Sequence, residues 1–138
     1  MTVKSLLESI KTIDSNINIM LENLTMLREL AAKATSVISA APGGTNKGSS
    51  RLEETVVKII NTENQINGEI DRLVDRRNVV LALTQKLDNG DEQRIIHLRY
   101  MRYNSWREIA DETNWSLRQV HRLHDRALVK LEKIYAAK

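Results

Sequence analysis

The chain has 138 residues and a mass of 15.8 kDa, which fits one ordinary domain or two small ones. It contains no cysteine, one proline, five glycines and no phenylalanine, which excludes a disulfide framework and a thiolate zinc site and argues against an all-β fold. No apolar stretch approaches the roughly 20 residues of a membrane span, and the N-terminus lacks a signal-peptide core. We therefore expect an all-α protein of the cytoplasm that does not contact a membrane and holds no cofactor and no metal.

The net charge of +3 is concentrated in the last third of the chain. Residues 91–138 hold ten basic and seven acidic side chains, whereas basic and acidic residues balance in 1–41 and in 42–90. The aromatic residues all lie in the same third: Tyr100, Tyr103, Trp106, Trp115 and Tyr135. A compact basic part favours an anionic partner, most simply nucleic acid. The alternative is a solvated basic helix face.

Residues 3–38 predict one long helix. Apolar residues recur there in alternating steps of three and four, a 3.5-residue period that is typical of a coiled coil. The seam consists of Val3, Leu6, Ile10, Ile13, Ile17, Met20, Leu24, Leu27, Ala31, Ala34 and Ile38.

A break at 42–50, which begins Pro42-Gly-Gly, separates this helix from a second one. Ser50 and Glu53 have the spacing of a capping box, which predicts that the second helix starts there. Gly68 lies inside this helix and should weaken it by about 1 kcal/mol relative to alanine. The predicted second seam consists of Leu52, Val56, Ile59, Glu63, Ile66, Ile70, Leu73, Arg77, Val80, Thr84 and Leu87.

The two helices predict an antiparallel hairpin over residues 1–87. Because a two-helix hairpin has little core of its own, we expect this stem to form a homo-oligomer, a dimer or a tetramer. The alternative is an intramolecular hairpin that packs on the C-terminal part.

Residues 88–138 predict a helix-turn-helix domain. After the turn Asp88-Asn-Gly-Asp91, a short helix runs from Glu92 to about Arg102. Ser105 and Glu108 form a capping box that opens a helix of about eight residues, with Ile109 and Ala110 inward. Ser116 and Gln119 form a second box, which opens a long helix after a break of three residues at 113–115. Two capped helices joined by so short a turn are typical of a helix-turn-helix, and the tryptophans Trp106 and Trp115 are expected in its core.

The exposed face of the last helix supplies the candidate DNA-binding residues. Arginine pairs with guanine and glutamine with adenine in the major groove, which a recognition helix enters with its first turns. The predicted base contacts are Arg118, Gln119, His121 and Arg122. The predicted phosphate contacts are Arg107, Arg126 and Lys130.

The sequence offers no candidate catalytic residues, and we expect no enzymatic activity. His121 and His124 are spaced three apart and could share a metal, but no cysteine or carboxylate lies on the same face to complete a site. Nothing in the spacing of serine, histidine and aspartate suggests a triad.

Two families resemble this chain. Trp106-Arg-Glu-Ile-Ala110 and the stretch from Ser116 to Leu131 resemble the region-four helix-turn-helix of bacterial sigma factors. Residues from about Leu24 to Leu131 are similar to the RinA/ArpU-like phage transcriptional regulators. That similarity includes Lys-Ile-Ile, Ile-Asp-Arg-Leu-Val-Asp and Arg-Gln-Val-His-Arg-Leu-His.

The resemblance implies an activator of late phage or prophage genes for packaging and structural proteins. Such a protein would bind double-stranded DNA in the bacterial host cytoplasm, and host RNA polymerase is a further candidate partner. By the sigma pattern, Arg118, His121 and Arg122 fall where promoter bases are contacted. Leu117 departs from that pattern by replacing a usual polar residue, so the target need not be a minus-35-type element. The alternatives are a small terminase-like DNA-packaging subunit and a sigma-like module that binds polymerase and touches DNA weakly.

Overall fold

The fold is all-α, as the sequence predicts, in a computed structural model that describes residues 1–40 and 46–137 and, among these, the side chains of all but 38–40 and 46–48. Within those ranges, no helix is long and apolar enough to cross a membrane. The elements are α1 (Val3–Ala40), α2 (Asn46–Gln85), α3 (Gly90–Ile96), a π-helical segment (His97–Met101), α4 (Trp106–Thr113) and α5 (Leu117–Ala136).

The chain divides into two compact units. One, here called the hairpin unit, is Asp14–Asp71, and the other, the C-terminal unit, joins Met1–Ile13 to Arg72–Lys138. The start of α1 therefore belongs to the same unit as the helix-turn-helix. The predicted domain boundary at 87/88 stays a prediction.

The apolar seam of α1 faces the rest of the chain, as its period predicts. Each seam residue from Val3 to Ala34 is buried or half-buried, and Ile38 lies outside the described side chains. In the hairpin unit, Arg28 Nη2 lies 3.7 Å from Glu63 Oε1, which places the second half of α1 beside the first half of α2. Because few residues separate the two helices, this pairing makes them antiparallel.

The predicted seam of α2 is correct at nine of its eleven residues, which are buried or half-buried. Its every-seventh positions, which run from Leu52 to Leu87, are all buried or half-buried. Between them, however, Val56 and Ile70 are 41% and 40% exposed, whereas the preceding residues are half-buried. The prediction followed the apolar side chains, but at these positions the polar residues Thr55 and Glu69 are the half-buried ones. Leu83, which the predicted seam omits, is only 2% exposed.

The predicted start of α2 is wrong. The helix begins at Asn46, so Ser50 lies inside its first turns and does not cap it. The predicted break therefore ends earlier than residue 50. The part of it at 41–45 lies outside the described residues.

The helix predicted over residues 92–102 starts earlier and changes its winding. Asn89 is the N-cap of α3, since its Oδ1 accepts the backbone N–H groups of Asp91 and Glu92 at 2.9 and 3.1 Å. The chain is π-helical over His97–Met101, and Arg102 N–H donates to the carbonyl of His97 at 3.1 Å, five residues back. Such wide turns within helices frequently mark functional sites.

The core of the C-terminal unit joins both ends of the chain. The first turns of α1 contribute buried apolar side chains, and the backbone N–H of Val3 donates to Glu132 Oε2 of α5 at 3.2 Å. The fully buried residues here include Val3, Leu7, Ile10, Val80, Leu83, Ile95, Ile96, Ile109, Val120 and Leu131. This core fixes α5 against four other segments and thereby determines which of its faces meets solvent.

Candidate nucleic-acid interface

The first helix of the helix-turn-helix begins with the predicted capping box. The Ser105 side chain accepts the backbone N–H of Glu108 at 3.1 Å, and Glu108 Oε1 accepts the N–H of Ser105 at 3.2 Å. Hydrogen bonds that the backbone N–H and the side chain of Ser105 make to the exposed Glu108 carboxyl lower the pKa of that carboxyl. The box satisfies two backbone donors at the helix end and fixes where α4 starts.

The turn between α4 and α5 depends on one residue with a positive φ. Asn114 caps the C-terminus of α4 with φ 61° and ψ 18°, a left-handed conformation that asparagine adopts more readily than most residues. Ser116 then caps α5, and its side chain accepts the N–H of Gln119 at 3.1 Å. The serine half of the predicted second capping box is therefore present. Within α5, all of which the structure describes, the Gln119 side chain makes no return hydrogen bond.

The buried face of α5 is close to the predicted one. Val120, Leu123, Ala127 and Leu131 are all below 5% exposed, and Leu128 is half-buried. His124 is also buried, at 6% exposure, which the sequence did not predict. Because this face is fixed by the core, the opposite face must point to solvent.

The structure brings most of the predicted DNA-binding residues onto that solvent face. Arg107 of α4 is exposed as well, and it precedes the turn that leads into α5. The four arginines of this set form no ion pair with any residue in 1–40 or 46–137, so their charge is not neutralised within the described chain. The predicted contacts that are exposed on α5 are Arg118, Gln119, His121, Arg122 and Arg126.

Lys130 is placed differently from the other predicted phosphate contacts. Its Nζ lies 2.9 Å from Glu92 Oε2 and 3.2 Å from Asp88 Oδ1. These two carboxylates raise the pKa of Lys130, and the lysine in turn lowers the pKa of Asp88. Since Glu92 is only 1% exposed, the ammonium neutralises a buried carboxylate of its own chain.

An aromatic cluster surrounds Trp106 at the start of α4. The Arg99 guanidinium lies over the indole, 4.1 Å from the ring centroid. On α5, the rings of His121 and His124 lie 4.8 and 4.7 Å from the indole, the first tilted by 50° and the second edge-on at 72°. Tyr100 completes the cluster, with its hydroxyl 2.6 Å from His124 Nε2.

Burial changes the proton affinity of two residues in this cluster. It raises the pKa of Tyr100 to about 12, which keeps the hydroxyl protonated. Burial also lowers the pKa of His124, and the exposed Asp125 beside it opposes this change. At neutral pH Tyr100 and His124 are therefore both uncharged, and their hydrogen bond joins two neutral groups inside the helix-turn-helix.

The two tryptophans are less enclosed than predicted. Trp106 and Trp115 are both half-buried, and Arg94 of α3 lies over the Trp115 ring at 5.8 Å from its centroid. The sequence alone did not predict the contact between Trp106 and His121, because the two residues lie fifteen positions apart and on different helices. Only the packing angle of α4 on α5 brings the two rings together.

Comparison with known proteins finds a match in the same part of the chain, the one that contains the candidate interface. The family model for Sigma-70, region 4 matches residues 89–133, a span that begins at the cap of α3 and ends within α5. No curated protein and no solved structure matches the chain. The C-terminal part is thus similar to a DNA-binding helix-turn-helix module of the transcription machinery.

Proposed function

We propose that the protein is a sequence-specific DNA-binding regulator of transcription that acts by binding and not by catalysis. It inserts α5 into the major groove, where Arg118, Gln119, His121 and Arg122 contact base edges. Arg107 and Arg126 contact phosphates and fix the orientation of the domain on the duplex. Lys130 is left out of this set because its charge is paired with Glu92 and Asp88.

One observation carries the proposal: the exposed face of α5 has arginines without ion-pair partners in the described chain, on a helix that the core holds rigidly. Free guanidinium groups at an exposed surface attract a polyanion, and their fixed spacing along one helix allows base pairs to be distinguished. The match of residues 89–133 to Sigma-70, region 4 supports a DNA-binding role for this part of the chain.

The finer proposal is an activator of late genes in a phage or prophage that works with host RNA polymerase. It rests on the resemblance of the sequence from about Leu24 to Leu131 to the RinA/ArpU-like regulators. A sigma-like domain is also suited to a promoter, where the polymerase is the neighbouring protein.

We further propose that the hairpin unit forms a homo-oligomer, a dimer or a tetramer. The seam of α1 is already covered within the chain, but both helices of the hairpin unit expose further large apolar side chains. Contiguous exposed apolar patches mark protein interfaces, and we propose that these side chains form one. These side chains are Ile19, Leu21, Met26, Leu30 and Val37 on α1 and Val56, Val57, Ile60 and Ile70 on α2.

Selection of duplexes from a random pool by the full chain tests the main proposal. We expect a recurring sequence that is bound much more tightly than scrambled DNA at physiological salt. If the oligomer is a two-fold dimer, two half-sites should be spaced by about 10 bp or a multiple of it. Pools without any enrichment, together with an affinity that falls steeply with salt, would contradict base recognition and leave phosphate contacts alone.

Light scattering on Ile60→Glu and Met26→Glu tests the oligomer separately. We expect the wild-type chain to have twice or four times the monomer mass and the variants to have the monomer mass. A monomeric wild-type chain would refute the oligomer without bearing on DNA binding. Lys58→Glu, an exposed change on the same helix, is the matched control.

A further inference from the structure

His121 is exposed, yet its ring packs against another aromatic ring. It lies on the first turns of α5 among the proposed base contacts, and its centroid is 4.8 Å from that of Trp106 on α4. This is within the range of favourable aromatic pairs. The neighbouring arginines on the same face have no comparable ring or ion-pair contact in the described part of the chain.

The indole that His121 touches is itself contacted by two further side chains, Arg99 and His124. Arg99 of the π-helical segment lies over it at 4.1 Å, and this guanidinium donates from Nη1 to the carbonyl of Asn104 at 3.1 Å. His124 lies edge-on to the indole at 4.7 Å and is fixed by the Tyr100 hydroxyl. The contacts thus link the indole to the segment before α4 and to the buried face of α5.

We propose that Trp106 is a positioning residue that sets the sequence preference of the protein through His121. The indole holds the imidazole in one orientation, so that a defined ring edge is presented to one base pair. A histidine on a free helix surface exchanges among several side-chain rotamers, and each would meet the base edge differently. Fixing one rotamer before DNA arrives removes that ordering cost and favours one base over the others.

This inference rests on the proposed function, because it needs DNA in the groove facing α5. It assigns a role to Trp106 in addition to the proposed base contacts. Trp106 is half-buried and acts through His121 rather than by touching a base. A purely structural role for Trp106 predicts something different: its loss would weaken binding to every duplex by the same factor.

The test measures base preference, position by position, for the full chain and its variants on the selected duplex and its single-base changes. We expect His121→Ala to relax one base position. Trp106→Leu, which keeps an apolar side chain, should relax the same position by about 2- to 10-fold and leave the others unchanged. The double variant should discriminate no less at that position than His121→Ala alone.

A second measurement on the free protein keeps the proposal falsifiable without DNA. The His121 ring protons should have NMR shifts displaced from those of an unstructured peptide by the nearby indole, and Trp106→Leu should remove that displacement. If the leucine variant does not fold, Trp106→Phe should show a smaller change in both measurements.

The outcomes separate this inference from the proposed function. A wild-type chain without any sequence preference overturns both. A wild-type chain that discriminates, combined with a Trp106→Leu variant that keeps full preference or loses affinity evenly for all duplexes, overturns the positioning role alone. The same holds if His121→Ala relaxes no base position, since the arginines could still read the sequence.

Discussion

The hydrogen bond between Tyr100 and His124 gives the sharpest prediction about stability. Tyr100→Phe removes a hydroxyl that lies 2.6 Å from His124 Nε2, where Tyr100 is 8% and His124 is 6% exposed. Water cannot easily replace the lost partner at such burial, so the imidazole nitrogen is left unsatisfied. Leaving a buried polar group unpaired costs about 1–3 kcal/mol, and we expect the variant to lose about 2 kcal/mol of unfolding free energy.

Urea unfolding followed by tryptophan fluorescence measures this loss locally, because both tryptophans lie in the C-terminal unit. Tyr135→Phe is the matched control: it is half-buried on α5, and its hydroxyl makes no hydrogen bond with the described residues. We expect its unfolding free energy to stay within a few tenths of a kcal/mol of the wild-type value.

The difference in stability between wild type and Tyr100→Phe should also depend on pH. The folded state holds the Tyr100 proton up to about pH 12, whereas the unfolded chain releases it near pH 10. The stability from this group is therefore complete below pH 10 and is lost as the pH rises toward 12. We expect the difference between wild type and Tyr100→Phe to shrink over that interval. Equal stability of the two proteins at pH 7, or a difference that does not change with pH, would refute the reasoning.

Three further changes test other parts of the fold. Asn114→Gly should be tolerated because glycine adopts φ 61° freely, whereas Asn114→Val should lower the free energy of unfolding in urea by about 1–2 kcal/mol. Equal effects of the two changes would show that the turn does not need a left-handed residue. Gly68→Ala should stabilise the chain by about 1 kcal/mol, since an added Cβ meets nothing within 4 Å, and a lower melting temperature by circular dichroism would contradict this. Burial depresses the pKa of His124, so its contribution is present above pH 6.5 and is lost as the pH falls below it. Wild type should then lose more stability than His124→Gln between pH 7.5 and 5.5, and equal losses would count against a buried neutral imidazole.

Periodicity predicts the fold class and the helix order of this chain well. The seam of α1 is dense in apolar residues, so its burial follows directly from the sequence. The capping box at Ser105 is equally local, because both of its hydrogen bonds lie within four residues. Features of this kind need no knowledge of the rest of the molecule.

The errors occur where tertiary packing decides between similar local patterns. In α2, Val56 and Thr55 are both compatible with a 3.5-residue seam, yet Thr55 is half-buried and Val56 is exposed. The start of α2 at Asn46 and the π-helical winding after Ile96 likewise do not follow from propensity. Local sequence gives the element, while its partner determines which residues it buries.

The candidate site shows the same division. The exposure of Arg118, Gln119, His121 and Arg122 follows from the apolar face of α5 opposite them. The ion pairs of Lys130 do not follow from the local sequence, because Glu92 and Asp88 lie about forty residues earlier in the chain. The contact of Trp106 with His121 is likewise long-range and required the structure.

The central claim is that α5 reads the DNA sequence, and one measurement tests it most directly. It is the ratio of affinities for the selected and the scrambled duplex at physiological salt, in the wild-type chain and in Arg118→Ala/Arg122→Ala. We predict a high ratio for the wild type and for Arg51→Ala, an exposed arginine change on α2. The double variant should reduce the ratio by about 10-fold or more, because each base-reading arginine contributes about 1–3 kcal/mol of discrimination. A ratio near one in the wild type, or a ratio that the double variant leaves unchanged, would contradict the claim.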